Sequence, residues 1–197
     1  MALTSNQRNS SVFLAAAGFV GVVSVLYLNA VGVSDDSLGL LLRASARLAL
    51  VVLLIVFVAR PLRQMFATPA TTSLLQNRRL LGITFAGIHT AHLGLLIFKA
   101  NRLPGFSLDI AANYLGVFTY AVILALLITS YDGPARALGA RRWKILHKVG
   151  LYWIFVAFAQ TQLPQSLDQL DGTNWWLLAL ITIALVIRLT AFFAKRK

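Results

Sequence analysis

The chain has 197 residues, of which 58% are hydrophobic and 12% are charged, and its formal net charge is +12. Soluble domains carry roughly twice that share of charged residues. The composition therefore excludes a soluble globular protein and predicts a polytopic membrane protein. The absence of cysteine excludes disulfides, thiolate metal sites and iron–sulfur clusters.

Six apolar segments follow one another, each close to the length of about 20 residues that a membrane-spanning helix needs. They cover approximately residues 12–32, 39–59, 80–99, 112–131, 143–163 and 175–194. The first is longer than the apolar core of a signal peptide and is followed by further apolar segments, so we interpret it as a retained helix. The sequence therefore predicts an all-α fold, with residues 1–197 forming a single six-helix transmembrane domain.

The charges between the predicted spans differ in sign from one side to the other. One side is basic, with Arg60, Arg63, Arg78, Arg79, Arg136, Arg141, Arg142, Lys144 and the C-terminal Lys195, Arg196 and Lys197. The other side carries Asp35, Asp36, Asp168 and Asp171, with Lys99 and Arg102 as its cations. By the positive-inside rule both termini are predicted to be cytoplasmic. Because the positive charge lies in short connections, we expect contact with the lipid bilayer and none with nucleic acid.

Polar side chains inside the spans are costly and are therefore the candidates for function. They are Arg43, Arg47, His89, His92, His147, Gln160 and Arg188. No predicted span contains an aspartate or glutamate, which disfavours a proton path. No connection is long enough for a nucleotide-binding domain, so the chain has no flavin domain of its own.

Histidines on separate helices of a bundle suit a b-type heme, whose iron takes imidazole as an axial ligand. His89 and His92 lie three residues apart on the third span and share roughly one face, and His147 lies on the fifth span. The alternative is that each histidine is a buried hydrogen-bonding group between helices.

The arginines of the second and sixth spans have two interpretations each. Arg43 and Arg47 are four residues apart on one face and could receive the propionates of a heme, or they could extend to the outer headgroups. Arg188 lies close to the basic C-terminus, and we expect it to extend to the headgroups there.

Two stretches carry a resemblance to a known family: NRRLLGITFAGIHTAHLGLLIF at residues 77–98 and LLITSYDGPARALGARRWKILHKVGLYW at residues 126–153. With the six-helix layout, they resemble the ferric reductase-like transmembrane domain family and, within it, the MsrQ-like heme-bearing membrane subunits. The resemblance implies an electron-transfer subunit of the bacterial inner membrane. Such a subunit is a component of an oxidoreductase, and no residue of this chain is predicted to be catalytic.

The resemblance also implies the route of the electrons. They would pass through b heme from quinol or a separate flavoprotein to an acceptor or a partner subunit, and quinone is a further candidate ligand. His92 matches the outer-leaflet ligand position of the third span, and His147 the inner-leaflet position of the fifth. The outer partner is expected thirteen residues after His147, where the chain has Gln160, and the inner position near Arg78 and Arg79 lacks a histidine.

Three interpretations follow, since each heme position keeps one matched histidine. His92 could hold a heme with a weak or absent sixth ligand, or His89 or His92 could share one heme with His147. The third is a non-redox scaffold subunit of a larger complex that keeps the fold and has lost some or all heme. If heme is bound, we expect one rather than two, in the outer half, with His92 as the main ligand, Arg43 and Arg47 at the propionates, Gln160 opposite, and a high-spin iron.

Overall fold

The computed structural model describes residues 4–103, 113–168 and 175–194, with residues 162–168 described by their backbone alone. Within these ranges the regular elements are eight helices, and no strand occurs. They are α1 (Ser5–Val31), α2 (Asp35–Met65), α3 (Pro69–Gln76), α4 (Arg78–Arg102), α5 (Tyr114–Ile128), α6 (Asp132–Leu138), α7 (Ala140–Asp168) and α8 (Trp175–Ala194). The all-α prediction is confirmed for this part of the chain. Asp171 and the C-terminal Lys195, Arg196 and Lys197 lie outside the described residues, as does the start of the fourth predicted span.

Four helices are long and apolar enough to cross a membrane, namely α1, α2, α4 and α8. The described part of α5 has 15 residues, and with α6 it forms a pair bent by 101° that is a fifth candidate. The 29-residue α7 is not among them, because it begins with several basic residues and is less apolar along its length. The described residues thus give four or five candidate spans, and the sixth stays a prediction.

The first two helices begin before the apolar segments because their polar first turns are capped. Thr4 accepts a hydrogen bond from the backbone N–H of Gln7, whose side chain accepts one from the Thr4 N–H. Ser34 and Ser37 form the same reciprocal pair at the start of α2. Each pair satisfies backbone donors that a helix start otherwise leaves unpaired, so the helices extend beyond the apolar residues.

The centre of the bundle is α2, which packs on α4 and α8, while α4 also packs on α1 and α5 packs on α7. The core is formed by fully buried side chains of four helices, among them Leu53 and Phe57 of α2, Ile83 of α4, Ile154 of α7 and Leu177 of α8. Large apolar side chains are exposed on the outer faces of α1, α5 and α8. Apolar side chains thus cover the outside of the bundle as well as filling its core, as expected of helices that are in contact with lipid.

The backbones of α1 and α4 approach closely at Gly87. A Cβ atom at this position would lie 2.7 Å from the Phe13 carbonyl oxygen and 3.0 Å from the Ala16 Cβ atom. Small residues at such a crossing let two backbones approach and gain van der Waals contact, the main source of helix association in a membrane. Gly87 therefore fixes the position of α1 against the helix that carries His89 and His92.

Candidate functional site

A cavity of about 490 Å³ lies among α2, α4, α7 and α8, at the end of the bundle where α4 and α7 begin. Apolar side chains line part of it, including Leu53, Phe85, Leu151 and Ile154. Six cations also line it: Arg60, Arg78, Arg79, Lys144, Lys148 and Arg188. Its volume falls in the range of roughly 300–1,000 Å³ that is common for small-molecule and cofactor sites.

His147 lines this cavity from the early turns of α7. Its Nε2 atom and the Thr129 hydroxyl oxygen are 3.0 Å apart. The Trp143 ring, one helical turn before it, stacks on the imidazole with ring centroids 4.2 Å apart. Trp143 is itself fixed, because its Nε1–H donates to the Thr129 carbonyl oxygen at 2.7 Å. The imidazole is thus oriented by its own helix and by the C-terminal end of α5.

Two of the six cations are bound to protein groups. Arg79 donates to the Ser130 carbonyl oxygen and pairs with the Asp132 carboxylate at 2.8 Å. Arg188 makes the contacts described below. In the part of the chain that the structure describes, Arg60, Arg78, Lys144 and Lys148 make no hydrogen bond or ion pair with their side chains. These four will be called the free cations of the cavity, and they can bind anionic groups.

His89 and His92 lie farther along α4 and form a different kind of site. Their rings are stacked, with centroids 5.2 Å apart and planes 8° apart. His89 is 8% exposed and is surrounded by further rings, those of Phe85, Tyr120 and Phe158. Its buried Nδ1 atom has no hydrogen-bond partner among the described residues, and neither has the Tyr120 hydroxyl.

His92 is held on its other side by α2. The Ser45 hydroxyl oxygen is 2.8 Å from His92 Nδ1, and it also donates to the Leu41 carbonyl oxygen at 2.8 Å. This arrangement is the one that the hydrogen-bonding alternative predicts for His92, whereas His89 Nδ1 has no such partner among the described residues. The structure brings His89 and His92 together, and the cavity that His147 lines includes neither of them.

The other residues predicted for an outer heme are dispersed. Arg43 is exposed, and Arg47 is partly buried. The buried residues of α7 include Ile154, Phe155 and Phe158, of which Phe158 contacts His89. Gln160 lies two residues after Phe158 and is exposed, so it points away from the face that meets His89. The structure does not direct the Gln160 side chain toward either histidine of α4.

The prediction for Arg188 was wrong. Its side chain turns into the bundle, where Nη1 donates to the Phe57 carbonyl oxygen at 2.6 Å and Nε donates to the Tyr152 hydroxyl at 2.8 Å. The sequence analysis also missed Thr129 and Trp143. The four-residue spacing of Trp143 and His147 could have revealed a stacked pair, but no sequence signal places Thr129 beside them.

A second polar cluster joins the start of α1 to the turn between α5 and α6. The buried Asn9 donates to the Ser130 carbonyl oxygen at 3.2 Å, and the Asn6 side chain accepts from the Asp132 N–H at 3.1 Å. The Ser5 hydroxyl donates to the Asp132 carboxylate. The hydrogen bond from Ser5, followed by that from Arg79, lowers the pKa of Asp132 below its ordinary 3.8. A lowered pKa means that the contribution of this carboxylate to stability is present above pH 3.8 and is lost as the pH falls through the folded-state pKa.

Apolar helices long enough to cross a membrane define this chain as a multi-pass membrane protein, with a cavity lined by His147 and six cations. Residues 43–159 match the family model of the ferric reductase like transmembrane component. The chain belongs to this family, which confirms the resemblance seen in the sequence.

Relatives in enteric bacteria carry a more specific name. The protein-methionine-sulfoxide reductase heme-binding subunit MsrQ of Cronobacter sakazakii is 30% identical over 155 residues, covering 75% of this chain and 76% of the relative. The protein of the same name from Klebsiella pneumoniae is 32% identical over 143 residues, covering 69% of each chain. That from Salmonella enteritidis is 31% identical over 157 residues, covering 76% of this chain and 77% of the relative. No solved structure matches the chain. The apolar helices and these relatives identify a multi-pass membrane protein of bacterial type.

Proposed function

We propose that this chain is a membrane electron-transfer subunit that holds one b-type heme in the cavity at the start of α7, with His147 as an axial ligand. The names of the relatives supply the class of cofactor. The observation that carries the assignment to this place is the cavity itself, in which an oriented imidazole and four free cations line one space of about 490 Å³.

The residues of the cavity fit the chemistry of a heme. Imidazole is the common axial ligand of the iron, apolar side chains such as Phe85 and Leu151 suit the macrocycle, and cations pair with the two propionates. A bound heme would supply one-electron redox chemistry at its iron. The chain supplies the rest: Thr129 and Trp143 orient His147, the free cations bind carboxylates, and the apolar walls exclude water.

This proposal differs from the sequence analysis in the position of the heme. The sequence favoured His92 in the outer half, with Arg43, Arg47 and Gln160 around the cofactor. The inner cavity is supported instead because His147 and four free cations line one space, whereas rings surround His89 and Gln160 is exposed. The enclosure of His89 and the exposure of Gln160 also favour the second candidate, a scaffold subunit without heme, if the inner cavity takes none.

We further propose six membrane crossings with both termini in the cytoplasm of a bacterial inner membrane. The support is the basic side of the chain, whose residues gather around the cavity mouth. Quinol or a flavoprotein would then donate electrons near this end, and the acceptor or partner subunit would lie on the opposite side. The basic rim is also the surface that an acidic partner or anionic lipid would contact.

The topology is tested by cysteine labelling, which this cysteine-free chain allows without background. Asp36→Cys is expected to react with an impermeant maleimide added outside intact spheroplasts, and Ala137→Cys only after the membrane is opened. Reaction of both from outside, or of neither, contradicts the proposed orientation.

The cofactor is tested on the purified protein by a reduced-minus-oxidised visible spectrum and by acid extraction of heme. One heme per chain is expected in the wild type, and the His147→Ala variant is expected to lose most of it. Purified protein that contains no heme, even after expression with added hemin, would remove the electron-transfer proposal and leave the scaffold.

A further inference from the structure

Proline interrupts α2 beside the cavity. Pro61 lies within the helix, four residues after Phe57. A proline has no backbone N–H, so it cannot donate to the carbonyl four residues earlier, and its ring pushes that carbonyl away from the helix axis. The Phe57 carbonyl oxygen is therefore left without its helical donor. Such an oxygen needs another partner when the helix is buried, and in lipid an unsatisfied carbonyl is especially costly.

Arg188 of α8 supplies the missing partner. Its Nη1 atom donates to the Phe57 carbonyl oxygen at 2.6 Å. The guanidinium also lies over the Phe57 ring, 4.1 Å from the centroid, and over the Tyr152 ring, 4.4 Å from the centroid. With the bond from Nε to the Tyr152 hydroxyl at 2.8 Å, one side chain joins α8 to both α2 and α7.

The Phe57 ring is held from both faces. Opposite Arg188 it stacks on Phe155 of α7, with centroids 4.2 Å apart and planes 7° apart. Phe57 is 1% exposed and is one of the largest fully buried side chains of the described residues. The carbonyl and the ring of one residue are thus both fixed by the same arginine, which makes this the point where α2, α7 and α8 are joined.

The position of this point links it to the cavity. Arg60, one of the four free cations, precedes Pro61 directly and lies within one turn of Phe57. Arg60 lies in the turn between the Phe57 carbonyl and Pro61, so the geometry of that turn decides where Arg60 points. Arg188 lines the same cavity, and its Nη1 and Nε atoms donate to Phe57 and Tyr152, so its position there is set by the neighbouring helices.

We propose that Arg188 is a positioning residue of the cavity: it replaces the hydrogen bond that Pro61 removes from α2, and so holds Arg60 at the cavity wall. The link to a ligand rests on the proposed function, whereas the hydrogen-bond replacement does not. The Nη1 and Nε donors of Arg188 serve the contacts of α8 with α2 and α7.

The test is a double-mutant cycle of P61A and R188M, with thermal unfolding in detergent as the first measurement. The P61A substitution restores a backbone N–H for the Phe57 carbonyl. In the wild-type background, R188M is expected to lower the unfolding midpoint by roughly 4 to 8 °C, as for the loss of a charged hydrogen bond. In the P61A background the same substitution is expected to cost less than half of this. An equal loss in both backgrounds would overturn the proposal.

Two further variants control for the general effect of removing an arginine and for failure of R188M to accumulate. R136M removes an exposed arginine from the same side of the chain and is expected to shift the midpoint by less than about 2 °C. If R188M does not accumulate, R188K takes its place: it keeps the charge but lacks the forked donors, so P61A is expected to raise its midpoint. No rise would count against the proposal.

Heme content is the second measurement. R188M is expected to lose bound heme, and P61A/R188M to recover it, since Arg60 is repositioned without any new charge. Recovery of stability without recovery of heme would overturn the link to Arg60. If neither the wild type nor any variant binds heme, the proposed function fails. The unfolding cycle then still decides whether Arg188 replaces the hydrogen bond lost at Pro61.

Discussion

The inner end of the bundle and its middle hold histidines in different surroundings. At the inner end, His147 borders open space and is oriented by one hydroxyl and one stacked ring. In the middle, His89 is enclosed by rings, and His92 is hydrogen-bonded to the neighbouring helix. What sets His147 apart is the cavity and the cations beside it, since His147 and His92 each meet one hydroxyl and one stacked ring. Counting histidines in the spans cannot make that distinction.

The largest expected effect separates the two regions directly. His147→Ala is expected to remove most of the bound heme, because it deletes the histidine that lines the cavity. His92→Ala is expected to leave most of it, since it removes a helix contact. Heme per chain is measured by extraction and by the Soret absorbance of purified protein. If His92→Ala is the variant that loses heme, the outer site favoured by the sequence is the correct one.

The next effect concerns how the middle of the bundle is packed. Gly87→Leu places a side chain where even a Cβ atom would lie 2.7 Å from a backbone oxygen of α1. Overpacking of this kind costs roughly 1–3 kcal/mol or more, so the thermal midpoint is expected to fall by several degrees. Gly94→Leu on the same helix is the control, because a Cβ atom at Gly94 would meet nothing within 4 Å. Similar losses in the two variants would show that α1 does not pack here as described.

A smaller effect tests the cations of the two regions. Arg78→Gln removes a free cation of the cavity and is expected to weaken heme retention about tenfold, as for one lost charge-assisted bond. Arg43→Gln removes an exposed arginine of α2 and is expected to have little effect. Transfer of heme to apomyoglobin gives the dissociation rate in both cases. The reverse order of the two variants would again favour the outer site.

The smallest effect is expected at Gln160. If it faced an outer heme, Gln160→His would supply a sixth ligand and convert the iron to low spin. Because the Gln160 side chain is exposed on the far side of α7 from Phe158, we expect the ferric spectrum of Gln160→His to match that of the wild type. Thr161→His, one residue farther, controls for the general effect of an added imidazole at this depth.

Apolar periodicity and charge predicted the helices well because both are local properties of the chain. The first two helices exceed their apolar segments by the turns that Thr4 and Ser34 cap, and α2 also continues past residue 59 to Met65. The candidate site was harder to predict because it depends on which side of each helix faces its neighbours. Whether His92 meets a cofactor or Ser45 is decided by the rotation of α2 against α4, which no single segment encodes.

Arg188 illustrates the same limit from the other direction. Because Arg188 is close to the basic C-terminus in sequence, its side chain was expected to reach the headgroups. Its partner is instead a carbonyl oxygen on another helix, which a proline leaves without its helical donor. The two residues are far apart in sequence, and neither is unusual on its own. Only the packing of α8 on α2 brings them into one interaction.

The polar cluster at the start of α1 bears on the order in which the chain is made. Ser5, Asn6 and Asn9 leave the ribosome more than a hundred residues before Ser130 and Asp132, the groups they bind in the folded protein. During synthesis, α1 therefore enters the bilayer with its amides unmatched and keeps them close to the headgroups and water. The cluster can form only after α5 and the start of α6 have been synthesised, whereas the contact of α1 with α4 at Gly87 needs only residues made before them. The start and the middle of α1 are thus secured at different stages of synthesis.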